Sequence, residues 1–518
     1  MKESTRRWSV FVVTALGAFV VSLDLSIVNV AFPAMEASFP SVSRSLLAWV
    51  ITGYSVVFGS LLVVGGRTAD RVGRRRVFFV GIAVFTVGSA LCGLAPTVPL
   101  LIAGRLLQGA GAAFALPASL GLLLGVTPAG KRSQTVALWG GIGALAVATG
   151  PSLGALIITL GGWRWAFVIN IPVGILTLAW GRTVLVEARE AGDRPTPDYL
   201  GVVLIAAALA SLVLAISQGP TWGWDDPRVL AAFAVAAVAG PAFVYRSAHH
   251  PEPVLDLRLF ASRSFRASNV GTVFYAMGFF AMLLGNILFL VGVWHYSILR
   301  AGLSVTPGPI VVAVVAGPAG RLAGRIGFRI PLVVGAAVFA GSLVWFALGV
   351  GPTPDYVGMW LPATLLLGLG IGLTFPVISA AAVSSLPPDR LAVGSAVNQT
   401  SRQVGGALGV AVLVAILGEP ATEALALASF RHLWLFAAAM GALSGVVALF
   451  QPGRPGRAGS AVAGPSGRRV SGVEVASGVE AASGVSTSAE ISEVSALPAA
   501  AAPVSPSVDA PGHVPAGR

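Results

Sequence analysis

The chain has 518 residues, 55% of them hydrophobic and only 10% charged, and its mean hydropathy is +0.84. Such a composition excludes a soluble globular protein. The formal charge of +12 needs no nucleic acid to explain it, because it lies mostly in connections between apolar runs, where it orients a membrane protein and meets anionic lipid; no basic folded domain is present.

Apolar runs of about 20 residues, the length that spans a bilayer as helix, recur along most of the chain. In order they lie near 8–32, 46–66, 76–95, 98–122, 134–158, 163–186, 199–218, 228–247, 267–291, 304–322, 330–350, 357–377, 396–417 and 432–450. With a cytoplasmic N-terminus, 27 of the 33 Lys and Arg fall on the inside and five outside: Arg44, Arg164, Arg228, Arg300 and Arg431. This tally counts basic residues toward a span's inner end, Arg402 among them, with the adjoining connection, and leaves Arg105 as the one basic residue within a span. The bias follows the positive-inside rule and places both termini in the cytoplasm. The start, MKESTRRW before a long apolar run, lacks a cleavage site and reads as a retained signal anchor. Cys92, the single cysteine, lies in the third span, so no intramolecular disulfide can form.

The spans group into residues 1–186 (a six-helix bundle), 187–264 (a linker carrying an inserted transmembrane hairpin), 265–450 (a second six-helix bundle) and 451–518. "EAREAGDRPTPD" (187–198) and "RSAHHPEPVLDLRLFASRSF" (246–265) are the longest inside connections. "GRTADRVGRRR" (66–76) and "GRLAGRIGFR" (320–329) share G-R-x-A-x-R-x-G-x-R in register. Two repeated halves are the simplest account, and that is a transporter architecture. The end of the chain, with "SGVEVASGVEAASGVS" (471–486) repeating every six residues, has little to bury and reads as a disordered cytoplasmic tail.

One acid, Asp24, lies inside a span, where a carboxylate costs several kcal/mol. Counting about 1.5 Å per residue from Trp8 puts it about 24 Å from the inner edge; Arg105, entering from the other side, lies about 10 Å below the outer edge. The two charges share a level. Apolar surroundings favour the neutral acid and a neighbouring guanidinium the charged one, so small rearrangements can move a proton on and off. The alternative is a fixed interhelical pair that only holds the bundle together. Near the outer edge, Asn286, Trp294, His295 and Tyr296 read as an aromatic belt, with a drug-contacting site as the alternative.

"LDLSIVNVAFP" (23–33), "GRTADRVGRRR" (66–76), "RLLQGAGAA" (105–113), "GALAVATGPSLGA" (143–155), "WRWAFVINIPVG" (163–174) and "NQTSRQVGGALGVAV" (398–412) together resemble the major facilitator superfamily, specifically its fourteen-span drug:proton antiporters. The resemblance covers nearly all but the tail. It implies an all-α major facilitator fold of fourteen helices, two six-helix bundles plus the hairpin. It assigns proton coupling to Arg105 and Gln108 beside Asp24, and a conformational switch to Gly66, Asp70, Arg71, Gly73 and Arg74, with Asp70 near a helix N-terminus of the opposite half. Gly143, Gly150, Pro151 and Gly154 match its antiporter motif, with Ala155 where a glycine is common. Ser26 and Phe32 are further mild departures, and Gly324 stands where the second half would need an acid like Asp70.

The expected function is drug:proton antiport across a bacterial plasma membrane. Its partners are a small amphiphilic drug, protons and membrane lipid; proton motive force replaces any cofactor. With one membrane carboxylate, neutral, zwitterionic or monocationic drugs suit it better than dications. A dedicated exporter of one endogenous antibiotic or metabolite and a non-transporting membrane sensor are the alternatives. No metal-ligand spacing, nucleophile with a base, or GxxxxGK[ST] phosphate loop points to an enzyme.

Overall fold

A computed structural model of the protein describes residues 3–128, 132–187, 198–386, 390–418 and 422–452. The tail expected from 451 onward lies almost wholly outside the described residues. Among these the structure is helical, without strands, and has fourteen long helices. They are α1 (Glu3–Ser38), α2 (Trp49–Val72), α3 (Arg74–Leu94), α4 (Val98–Gly125), α5 (Arg132–Gly161), α6 (Asn170–Val184), α7 (Tyr199–Trp222), α8 (Pro227–His249), α9 (Arg263–Gly292), α10 (Pro307–Ile326), α11 (Arg329–Gly349), α12 (Leu361–Val383), α13 (Leu391–Leu417) and α14 (Glu423–Ala448). Thirteen spans are long and apolar enough to cross a membrane; in α5 the described apolar stretch is the shorter Thr149–Gly161.

A bilayer offers no water to backbone amides, so helices that bond internally are the form these sequences take. Their starts are set by side-chain caps. Asp198, Asp226, Ser262 and Thr422 accept from the amides of Gly201, Arg228, Phe265 and Leu425. The two matching sequence repeats end their helices alike. Gly73 follows α2 with φ 127°, and Gly327 follows α10 with φ 90°, turning the chain directly into α3 and α11. Glycine suits such backbone angles because it has no Cβ to clash. At Gly73 an added Cβ would also come within 2.6 Å of the Glu187 carboxylate. Gly73→Ala is therefore expected to destabilise the protein by about 1–3 kcal/mol, measured as a lower thermal unfolding midpoint in detergent.

The first six helices pack on one another, with α4 against α2 and α3, and α1 against α5; α9 packs on α13, α14 and α12, and α11 on α12 and α14. The halves meet where α13 lies along α2. The α7–α8 hairpin is not merely appended at the lipid boundary, because α7 touches α2 in one half and α13 in the other. Val56, Leu209, Val213, Ala407 and Ala411 bury one another there, and Ser45 Oγ donates to Gln218 Oε1 at 3.0 Å.

Two sequence expectations are corrected. Arg402, grouped in the charge tally with the connection before the thirteenth span, is in mid-helix: α13 begins at Leu391, eleven residues or about 16 Å earlier. The aromatic residues after α9 are also no belt. Trp294 and Tyr296 are buried, Trp294 Nε1 donates to the Gly351 carbonyl, and Asn286 Oδ1 accepts from Trp434 Nε1. These rings pack with Phe289, Trp360 and Phe346 because the ends of α9, α11, α12 and α14 converge on them.

Candidate functional site

Asp24 is fully buried on α1, and donors from two other helices converge on it. Arg105 Nη1 of α4 donates to Asp24 Oδ2 at 2.6 Å. Gln108 Nε2, one turn along α4, reaches Asp24 Oδ1 at 3.3 Å, and Asn170 Nδ2 at the start of α6 reaches the same oxygen at 2.9 Å. The pair predicted from helix rise is thus a direct contact, and Gln108 joins it.

A second ring of contacts fixes the donors. Arg105 Nε donates to the Val50 carbonyl on α2 at 2.8 Å, its Nη1 to Gln108 Oε1 at 2.9 Å, and its guanidinium lies 4.2 Å over the Tyr54 ring. Ser89 Oγ on α3 accepts from Gln108 Nε2 at 2.6 Å and from Asn170 Nδ2 at 3.3 Å. Five helices meet in this network because α4 is narrow there: a Cβ at Gly109 would lie 2.7 Å from the Tyr54 carbonyl. Asp24 accepts one of these bonds at Oδ2 and two at Oδ1, so both of its oxygens are tied to donors on α4 and α6.

Sequence reasoning missed Asn170, Ser89, Tyr54 and the Val50 carbonyl. Asn170 lay within the quoted "WRWAFVINIPVG", which carried a usable signal; Ser89 had none. Asn170→Ala is expected to leave Asp24 Oδ1 only the longer Gln108 bond and to cost about 1–3 kcal/mol, checked by thermal unfolding of the purified protein.

The antiporter-motif residues lie between α5 and both neighbouring elements. A Cβ at Gly150 would collide with Ser26, whose Oγ donates to the Val147 carbonyl at 3.0 Å. Gly154 sits against Ile27, and Gly143 faces Ser22. On the other side of α5, the Pro151 carbonyl and Ala155 Cβ lie against Gly302 of the short helix Ile298–Val305 in the second half. Ala155, the departure from the motif, is therefore part of a contact between halves. Nearby, Thr306 Oγ1 donates to Ser152 Oγ at 3.1 Å and Arg44 Nη1 to the Gly418 carbonyl at 3.3 Å. These contacts join the two halves at the far face, opposite the N-terminus.

At the near face Asp70 accepts from Arg74 Nε at 2.8 Å, and Arg74 Nη1 donates to the Gly121 carbonyl at 3.2 Å. The expected contact of Asp70 with a helix N-terminus of the other half is not the one formed. Asp70, at the end of α2, turns to Arg74, the first residue of α3. Glu187, the first residue of the linker, occupies a helix N-terminus of the same half instead, accepting from the amides of Arg75 and Arg76 at 3.0 and 3.2 Å. Gly66 packs against Pro117, and Arg71 is half-buried. Arg67 Nη1 ties α2 to Glu252 of the linker at 3.1 Å.

Residues 14–410 match the family model described as Major Facilitator Superfamily. The chain belongs to this superfamily. Its superfamily relatives include the tetracenomycin C resistance and export protein of Streptomyces glaucescens, 33% identical over 410 residues, 79% of this chain and 75% of that one. Multidrug resistance protein Stp of Mycobacterium tuberculosis is 33% identical over 78% of this chain and 75% of its own. Puromycin resistance protein pur8 of Streptomyces alboniger is 34% identical, covering 79% and 81%. Among solved structures, a D-xylose-proton symporter aligns with a TM-score of 0.61 at 16% identity over 86% of this chain and 98% of that one. An auto-inhibited POT family peptide transporter aligns with 0.61 at 17%, covering 85% and 96%. At these identities the likeness shows the fold.

Proposed function

We propose that this major facilitator protein is a proton-coupled exporter of small amphiphilic drugs or antibiotics, working by alternating access in a bacterial plasma membrane. The observation that carries the reading is the buried network joining Asp24 to Arg105, Gln108 and Asn170. It provides one protonatable group where α1, α4 and α6 meet, and taking up a proton there loosens the donors that hold these helices together. The relatives named for antibiotic and multidrug resistance support small-molecule export as the direction of use.

The arginine-rich near face is the cytoplasmic one in this reading, consistent with the positive-inside rule. Drug enters from the cytoplasm or inner leaflet while the far face is shut by the Ser152–Thr306 and Gly302 contacts. Asp24 then takes a proton from outside and resets the carrier. Proton motive force drives the cycle, with no cofactor.

A narrower reading, dedicated export of one compound, is favoured by relatives named for single antibiotics, tetracenomycin C and puromycin. The test of both is proton movement in inverted vesicles energised by respiration. Adding a transported drug is expected to release protons only where the protein is present, across a panel for a multidrug exporter and for one compound for a dedicated one. Drug accumulation that persists after an uncoupler collapses the gradient would overturn proton coupling.

A further inference from the structure

Arg402 is a mid-helix cation that the coupling network does not use. It lies half-buried in the middle of α13, in the half opposite Asp24. Its Nη2 donates to Ser379 Oγ of α12 at 2.7 Å, its guanidinium lies 4.6 Å over the Phe375 ring, and its Nε is buried with no partner. No carboxylate among the described residues lies within ion-pairing distance. Asp24, the buried acid of the first half, is engaged with Arg105.

The surroundings are suited to an aromatic acid. Phe375 packs edge-on against Tyr275 and Phe279, and Phe279 against Phe280, so the cation borders a wall of rings. On the same side of α13, Ser395 is exposed and Gln399 half-buried one turn below. Gln403, next to Arg402, is buried with both its amide oxygen and nitrogen unpartnered. A guanidinium presents a planar fork that matches a carboxylate or another delocalised anion, and leaving one in the membrane without a counter-charge is costly.

We infer that Arg402, with Ser379 and the rings of Phe375 and Phe279, forms a substrate subsite for the anionic group of an aromatic amphiphile. The inference rests on the transport reading and narrows its substrate class. Asp24 gave reason to expect no more than one positive charge on the substrate; Arg402 adds a place for a negative one, so aromatic acids and zwitterions are the preferred cargo.

The test measures binding of 1-pyrenebutyrate and its uncharged amide to the full-length protein in phosphatidylcholine nanodiscs, with empty discs subtracted. Native protein is expected to bind the acid at least tenfold more tightly than the amide. Arg402→Gln is expected to erase that preference, and Arg402→Lys, which keeps the charge without the fork, to retain part of it; unfolding midpoints of both variants check that they are folded. Equal affinities in the native protein, no binding of the acid, or a preference that survives in Arg402→Gln would each overturn the proposal. So would phosphatidylglycerol retained through delipidation by the native protein and lost from Arg402→Gln, which would assign the guanidinium to a lipid headgroup. The assay needs no gradient, so a failure of proton coupling leaves its outcome unchanged, and a coupled exporter without the acid preference sinks this inference alone.

Discussion

Asp24→Asn is expected to abolish drug-induced proton release while the protein still inserts in the membrane. Asparagine fills the same space, and its oxygen can still accept from Asn170 and Gln108, but it cannot take up and give back a proton. It also leaves Arg105 as a buried cation with no counter-charge. Breaking a buried pair from one side costs about 3–5 kcal/mol, so the unfolding midpoint should fall together with the coupling.

The two effects separate in the double variant Asp24→Asn/Arg105→Gln. With neither charge left, the desolvation cost is removed from both sides, and stability should recover most of what the single variant lost. Coupling should not recover. If the double variant restores both, Asp24 and Arg105 are a structural pair and the proton travels elsewhere; if Asp24→Asn alone releases protons like the native protein, the coupling reading falls.

Locking the far face is expected to stop transport reversibly. Ser152 Oγ and Thr306 Oγ1 are 3.1 Å apart across the two halves, close enough for cysteines at both positions to approach disulfide geometry with little movement. The one native thiol, Cys92, is buried and will not compete. Oxidising Ser152→Cys/Thr306→Cys should lower drug efflux more than tenfold, and dithiothreitol should restore it, with either single variant unaffected by oxidant. Undiminished efflux from the cross-linked protein would mean that the far face need not open, and alternating access at this contact would be wrong.

Legibility differed sharply along the chain. Asp24 and Arg105 were visible because a charge inside an apolar run stands out, and because a fixed rise per residue converts position into depth. Gly73 was visible through its motif, although the reason for it, a positive φ beside Glu187, was not. Asn170 and Ser89 were hidden, since an asparagine or serine is unremarkable in a membrane helix until its partner is known, and Asp24 lies 146 residues from Asn170. Arg402 was misplaced because, six residues past the drawn start at 396, it was still counted with the inner connection, and the helix begins five residues earlier than drawn.

By itself the sequence determined the membrane class, the apolar helical spans and the level that Asp24 shares with Arg105. All of these are local properties: apolar length against bilayer thickness, and the charge cost at each position. Only the tertiary structure decided that Asn170 completes the shell of Asp24, that α7 bridges both halves, that Asp70 pairs with Arg74, and that Arg402 faces an aromatic wall. Those outcomes depend on which helices touch, and contact between distant segments follows from side-chain packing across the bundle, which no single run of residues encodes.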